Sequence, residues 1–263
     1  MTLRNLAKPA AAGTSLAVVV LMGMLISSPR GRAQNGNGNG NANGANEVAR
    51  IQQGFAISPV KLNLSGKSPT QINQVGLGSY LVNAVGDCDG CHTSGGPPNF
   101  NYLAGYNPYF LFPKGSVIDP STYLAGGTDF GPAIPFTVGP GVAYGSYVGP
   151  DIISRNLTPD KNGLPEGGKT LAQFEAILRT GVDMDGIHPT CTSPSPTPTP
   201  ANCIPPPVDG SRLQVMPWPV FHNLSDNDIE AIYEYLSTIP CIDNKTSTPP
   251  AGAPNELRNN CGQ

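Results

Sequence analysis

Apolar residues recur at helical spacing in three stretches of the chain. Leu77, Tyr80, Leu81, Ala84 and Val85 fall at i, i+3, i+4, i+7 and i+8 and predict a helix from about Val75 to Val85. Gly76 and Gly78 would weaken that helix in isolation, so the pattern implies close backbone approach to another helix. Thr170 with Gln173 reads as a capping box ahead of Leu171, Phe174, Ile177 and Leu178, and Gly181 stands just past the end. Ser225 with Asp228 opens the third helix in the same manner. Its Ile229, Ile232, Tyr233 and Leu236 share one face, Pro240 ends it, and its expected partner is the first helix. From 93 to 155 there is no helical period, only aromatics set among Gly and Pro. That segment reads as an irregular insertion with a few short strands, wrapping a face of the molecule or forming a docking surface.

The N-terminus carries a different apolar run. Arg4 and Lys8 precede an uncharged stretch from Pro9 to Pro29 whose centre, Leu16 to Ile26, is strongly apolar. The centre is about half the roughly 20 residues a membrane span needs, so residues 1–33 read as an export signal. Gly31 and Ala33 sit at the spacing for cleavage after Ala33; uncleaved, the segment would be a membrane anchor. Residues 34–70, beginning QNGNGNGNANGANE, read as a low-complexity leader and linker.

Composition narrows the function. Gly 32 and Pro 29 among 263 residues exclude a molecule built of long helices. Lys+Arg 15 against Asp+Glu 18 leaves a net charge of −3, with no basic excess to hold nucleic acid. Six cysteines then require an explanation, since in an oxidising compartment they pair unless something else claims them.

Cys88-Asp89-Gly90-Cys91-His92 supplies that claim for two of them. CxxCH is the attachment signature of c-type haem. Two thiols three positions apart on a helical turn reach the two vinyl groups of one porphyrin, and the following histidine can ligate the iron. The competing readings are a Cys88–Cys91 disulfide beside a bystander histidine, or half a zinc site. Zinc takes four ligands, and no second cysteine pair here has matching spacing.

Cys191, Cys203, Cys241 and Cys261 remain. Two disulfides are the economical reading, with three connectivities open. Neighbour pairing is favoured, because it would fix the ends of the Pro-rich segment between Cys191 and Cys203 and pin the polar tail at 242–263. Free buried thiols are the alternative.

The sixth iron ligand would come from Met184, Met216, His188 or His222. Met216 stands out in Gln-Val-Met-Pro-Trp-Pro, where Pro217 and Pro219 stiffen an extended loop able to hold a side chain in place without helix or sheet. A packed core methionine is the competing reading. His188 could bond a haem propionate or a loop carbonyl, and His222 reads as a surface or packing residue. Either as axial ligand would give bis-histidine coordination.

Together these features resemble a class I cytochrome c: an export signal, a helix running into CxxCH, a Leu-Ala-Gly-Gly segment at 124–127, Asn156-Leu157-Thr158-Pro159-Asp160, Leu178-Arg179-Thr180-Gly181, Met216-Pro217-Trp218-Pro219, and a terminal Ile-Tyr-Glu-Tyr-Leu helix. The chain is similar in particular to the monohaem domains of exported bacterial cytochromes, including the modules that serve membrane-bound dehydrogenases. The resemblance implies an all-α helical fold over 71–241 around one covalent haem c, with Cys88 and Cys91 as thioether sites and His92 and Met216 as iron ligands. It implies a periplasmic or exported electron carrier rather than an enzyme. Its partners would be redox proteins such as a dehydrogenase or a terminal oxidase, and membrane association would come through an uncleaved N-terminus or a membrane complex. The alternatives are a haem enzyme, of peroxidase or thiosulfate-oxidoreductase type, with an open or labile sixth position, and a stable electron-transfer subunit of a dehydrogenase complex.

Overall fold

The computed structural model describes residues 42–93, 101–133, 149–192 and 202–243, together with Cys261. The expected export signal, the first part of the leader, the Pro-rich segment at 193–200 and most of the C-terminal tail lie outside them.

Helix α2, Pro69–Tyr80, starts at a complete capping box: Ser68 Oγ accepts from Gln71 N, and the Gln71 side chain accepts from Ser68 N. It continues into a single π-turn, Leu81–Val85. The wider turn shifts the register, so Val82 takes the fully buried position after Leu77 and Leu81, while Ala84 and Val85 leave the core. Asn83 is thereby brought to a polar network at the helix crossing. Its side chain donates to Ser79 O and accepts from the Tyr123 hydroxyl, which is also paired with the Tyr235 hydroxyl at 2.9 Å.

Helix α1, Ala42–Ile57, lies in the segment read as leader and linker. Its apolar positions are sparse, and the Asn/Gly run before it conceals them. Ile51 nevertheless packs with Leu77, Leu81 and Ala231, and Phe55 packs on the main core. The two glycines of α2 serve two neighbours. A Cβ on Gly76 would lie 2.7 Å from Ile51 Cγ2, and one on Gly78 would lie 1.9 Å from Ala231 O. Only Gly78 therefore makes the expected approach to the last helix; Gly76 faces α1.

The short helix α3, Cys88–His92, follows the π-turn. Helix α4, Leu171–Thr180, has the capping box expected of Thr170 and Gln173, and Gly181 ends it in the left-handed conformation. After the one-turn α5, Trp218–Phe221, comes α6, Asp226–Leu236. Ser225 Oγ accepts from Asp228 N, but the reciprocal bond of a box is not made, the aspartate being one methylene shorter than the glutamate of that motif. Val75, Val82, Tyr123, Phe174, Ile229 and Leu236 form the centre of the main core between α2, α4 and α6.

The insertion corrects the expectation of an all-α class I cytochrome fold. Strand β1, Asp129–Pro132, pairs antiparallel with β2, Asp151–Ile153, with Asp129 opposite Ile153, Pro132 opposite Asp151 and an irregularity between. Isolated bridges join Thr93 to Gly126 and Tyr102 to Ile118. The architecture is mixed, mostly helical with a small two-stranded sheet. Across the described residues 101–132 the Gly- and Pro-rich composition disfavours helix, and short pairings satisfy part of the backbone there instead.

The disulfides are Cys191–Cys203 and Cys241–Cys261, the neighbour pairing.

Gly78→Ala is expected to lower the unfolding free energy by about 1–3 kcal/mol, because α2 must retreat from α6. Gly44→Ala, whose Cβ meets nothing, should leave stability equal or slightly raised. Denaturant midpoints for the two variants check this; equal midpoints would contradict the close crossing.

Candidate functional site

Asp87, in the left-handed conformation at φ 46°, turns the chain out of the π-turn and starts α3. Cys88 is half-buried and Cys91 exposed, and both are free thiols although the other four cysteines are paired. Burial, with the negative charge of Asp87 behind it, pushes the Cys88 thiol up to about 12. The same two causes, burial first, raise Cys91. A reactive CxxC needs a thiolate at neutral pH. Both shifts favour the protonated thiols.

His92 is held by its neighbours in space rather than in sequence. Its Nδ1 lies 2.8 Å from the carbonyl oxygen of Arg155. A carbonyl only accepts, so Nδ1 carries the ring proton and Nε2 keeps its lone pair. Burial lowers the ring's pKa, and the imidazole is neutral. The Leu-Ala-Gly-Gly strap at 124–127 brings Arg155 into place. Gly126 N donates to His92 O at 2.5 Å, Gly127 N to Ser154 O at 2.8 Å, and Leu157 N to Leu124 O at 2.9 Å. A Cβ on Gly126 would lie 2.4 Å from the Arg155 carbonyl carbon, so only glycine allows the strap to lie between the motif and residues 154–157. Thr93 completes the join: its Oγ1 accepts from Leu124 N, and its carbonyl accepts from Thr128 Oγ1.

Cys88, Cys91, His92 and Met216 all line one largely apolar cavity of about 310 Å³. Val85, displaced from the core by the π-turn, faces it too. The Met216 loop is clamped to the end of α4. Leu213 N donates to Gly181 O at 2.7 Å, Trp218 Nε1 to Leu213 O at 3.1 Å, and Trp218 N to Met216 O at 2.8 Å. The Trp218 ring covers Gly181, where a Cβ would stand 2.3 Å from it. Of the other candidates, Met184 is exposed and does not line the cavity. His222 is exposed, outside the cavity, and bonded through Nδ1 to Arg179 O at 2.6 Å. His188 is buried, lines the cavity, and donates from Nδ1 to Asn202 Oδ1 at 2.9 Å.

Sequence reasoning passed over a charged cluster on the same wall. The Arg155 guanidinium pairs with Asp183 at 2.6 Å, Asp185 at 2.9 Å and Glu166 at 3.8 Å, and Asp185 also pairs with Lys169 at 3.1 Å. Arg155, Glu166 and Asp183 line the cavity. Burial alone would raise Asp183, but the charge and hydrogen bond of Arg155 outweigh it and hold that carboxyl low. Glu166 is farther from the guanidinium, and burial dominates there, lifting its carboxyl to about 7. Arg155 and the Asp-Met-Asp run flank motifs the sequence does show, but nothing in spacing alone pairs residues so far apart.

The cavity and its donors fit haem c. The volume falls within the roughly 300–1,000 Å³ usual for cofactor sites. Two protonated thiols on one turn, a neutral imidazole with its tautomer fixed, and a thioether face the same apolar space. Among the described residues no three His, Cys, Asp or Glu side chains converge to hold a metal ion, so the donor set of a zinc site is not assembled there. No protein-family model, curated protein or solved structure matches this chain.

The raised pKa of Glu166 has a defined sign. The folded state binds its proton more tightly than the unfolded state, so its stabilising contribution is complete below the ordinary value of 4.5 and is lost as pH rises through about 7. The loss amounts to at most about 3 kcal/mol. Glu166→Gln is expected to remove this part of the pH dependence. Urea midpoints of wild type and variant across that interval check it, and parallel profiles would refute the assignment.

Proposed function

We propose that this chain is an exported monohaem c-type cytochrome that passes single electrons between redox proteins such as a dehydrogenase and a terminal oxidase. The observation that carries the reading is the convergence of Cys88, Cys91, His92 and Met216 on one apolar cavity, with His92 Nδ1 committed to the Arg155 carbonyl.

Cys88 and Cys91 are the thioether sites, and both are free thiols beside the cavity. His92 would hold the iron through Nε2, the ring nitrogen left free by the bond from Nδ1. The Arg155 carbonyl fixes the ring plane and raises the basicity of that nitrogen. Met216, on a loop locked by Gly181 and Trp218, would hold the iron from the other side through its thioether sulfur. Haem c bound here would supply one-electron exchange at iron, with methionine ligation and apolar walls favouring the reduced state. His92 and Met216 would hold the iron between them and leave it no open position for a substrate, which favours transfer over turnover. The two disulfides are compatible with an oxidising, exported location. Among the described residues no helix is long and apolar enough to cross a membrane.

His188 supports one competing ligand set. It too lines the cavity with Nδ1 engaged, which would give bis-histidine coordination.

Expression of the full chain with a haem-maturation system, followed by visible and near-infrared spectra of wild type, Met216→Ala and His188→Ala, tests the reading. A low-spin covalent haem whose methionine-to-iron charge-transfer band is lost only in Met216→Ala is expected. Loss of low-spin character in His188→Ala alone would transfer the ligand role to His188. A high-spin wild type would overturn the carrier reading in favour of a haem enzyme with an open position.

A further inference from the structure

The insertion carries a feature that the cavity does not use. Tyr102 bridges antiparallel to Ile118, and the loop between them is closed by bonds from Leu103 N to Val117 O at 2.9 Å and from Lys114 N to Gly105 O at 2.8 Å. Buried Asn107 starts the tip, its side-chain oxygen accepting from Tyr109 N at 2.9 Å. The base is therefore built and bonded. The tip itself is apolar and points outward: Tyr109 and Phe110 are more than half exposed, Leu111 is 88 % exposed and Phe112 94 %. Four consecutive large apolar residues in solvent are not explained by scattered surface hydrophobicity.

Phe112 adds a second observation. Its φ of 60° lies in the left-handed region, where a bulky side chain is strained and glycine would make the same turn freely. An aromatic ring is placed at the position least suited to it and least covered by the protein. Strain of this kind at an exposed site points to function rather than packing.

We propose that this loop is a membrane-interface wedge, with Tyr109-Phe110-Leu111-Phe112 inserting shallowly into the headgroup and acyl boundary of a lipid bilayer. The electrostatics agree with that occupant. From Asn101 to Ile118 the only charged side chain is Lys114, placed two residues after the tip and over the Tyr106 ring at 5.9 Å, so the loop itself brings a cation and no carboxylate to an anionic headgroup layer. The shape agrees as well. The tip is a turn flanked by Pro108 and Pro113 that presents four adjacent apolar side chains, each more than half exposed. A shallow wedge leaves the bonded base of the loop, at 102–106 and 114–118, in water. Such insertion would hold the molecule at a membrane face, giving it two-dimensional access to membrane-bound partners, and it does not depend on retention of the N-terminal apolar segment.

The test uses the full chain with vesicles of phosphatidylethanolamine and phosphatidylglycerol carrying a carbene-generating photoprobe in their acyl region, and peptide mapping after illumination. Label on the peptide containing Tyr109 to Phe112 is the expected result. In Leu111→Asp/Phe112→Asp that label should fall by at least roughly tenfold, given the apolar area withdrawn from the bilayer. Both positions are exposed, and an unchanged far-UV spectrum verifies that the variant folds. Label confined to Leu16–Ile26, or absent from the chain, would overturn the proposal. So would a tip left unlabelled by lipid but protected from hydrogen exchange by a soluble protein partner.

Discussion

The hydrogen bond between His92 Nδ1 and the Arg155 carbonyl spans 63 residues, and most of the local architecture serves to make it. The strap at 124–127 can lie against both partners only because Gly126 has no side chain. Thr93 ties the end of the motif helix to that strap, and the Arg155 guanidinium is anchored in turn by Asp183, Asp185 and Glu166. A ring whose plane and tautomer are set from outside its own helix presents one defined nitrogen to the cavity. A histidine at the end of a five-residue helix would otherwise be free to turn.

A second constraint comes from the other side of the cavity. Met216 lies in no regular element, and its position follows from the end of α4: Gly181 turns left-handed, Trp218 covers it, and Leu213 bonds back to it. The two arrangements are alike, each using a glycine to let backbone or ring approach closely enough for hydrogen bonds to fix a side chain in an irregular segment. In a chain with Gly 32 and Pro 29, loops held by such contacts fix the cavity side chains that long helices would otherwise position. The charged cluster around Arg155 gives the same wall a fixed positive group amid three carboxylates, one of them raised by burial.

Much of this was legible from spacing. The helix starts at Thr170 and Ser225, the stop at Gly181 and the disulfide pairing were readable because each is a local pattern of a few residues, and the CxxCH residues and Met216, singled out on the same grounds, line one cavity. Three things were not. Helix α1 has too weak an apolar period, and its Gly54 and Ile51 find their partners on α2, the π-turn and α6. The π-turn at Leu81–Val85 exchanges Val85 for Val82 on the buried face, which a uniform 3.6-residue period does not anticipate. The pairing of β1 with β2 and of Arg155 with its carboxylates joins residues far apart in the chain, and such contacts are set by tertiary packing rather than by local propensity. These non-local pairings also make the fold mixed rather than all-α.

The proposed electron-carrier function requires Cys88 and Cys91 to end as thioethers to one haem. Purified exported protein, denatured and treated with a thiol-alkylating reagent, followed by peptide mass mapping, measures this directly. The account predicts that the peptide containing Cys88 to His92 takes no alkyl group and carries the mass of one haem. Alkylation of both cysteines, or a disulfide between them, would contradict it.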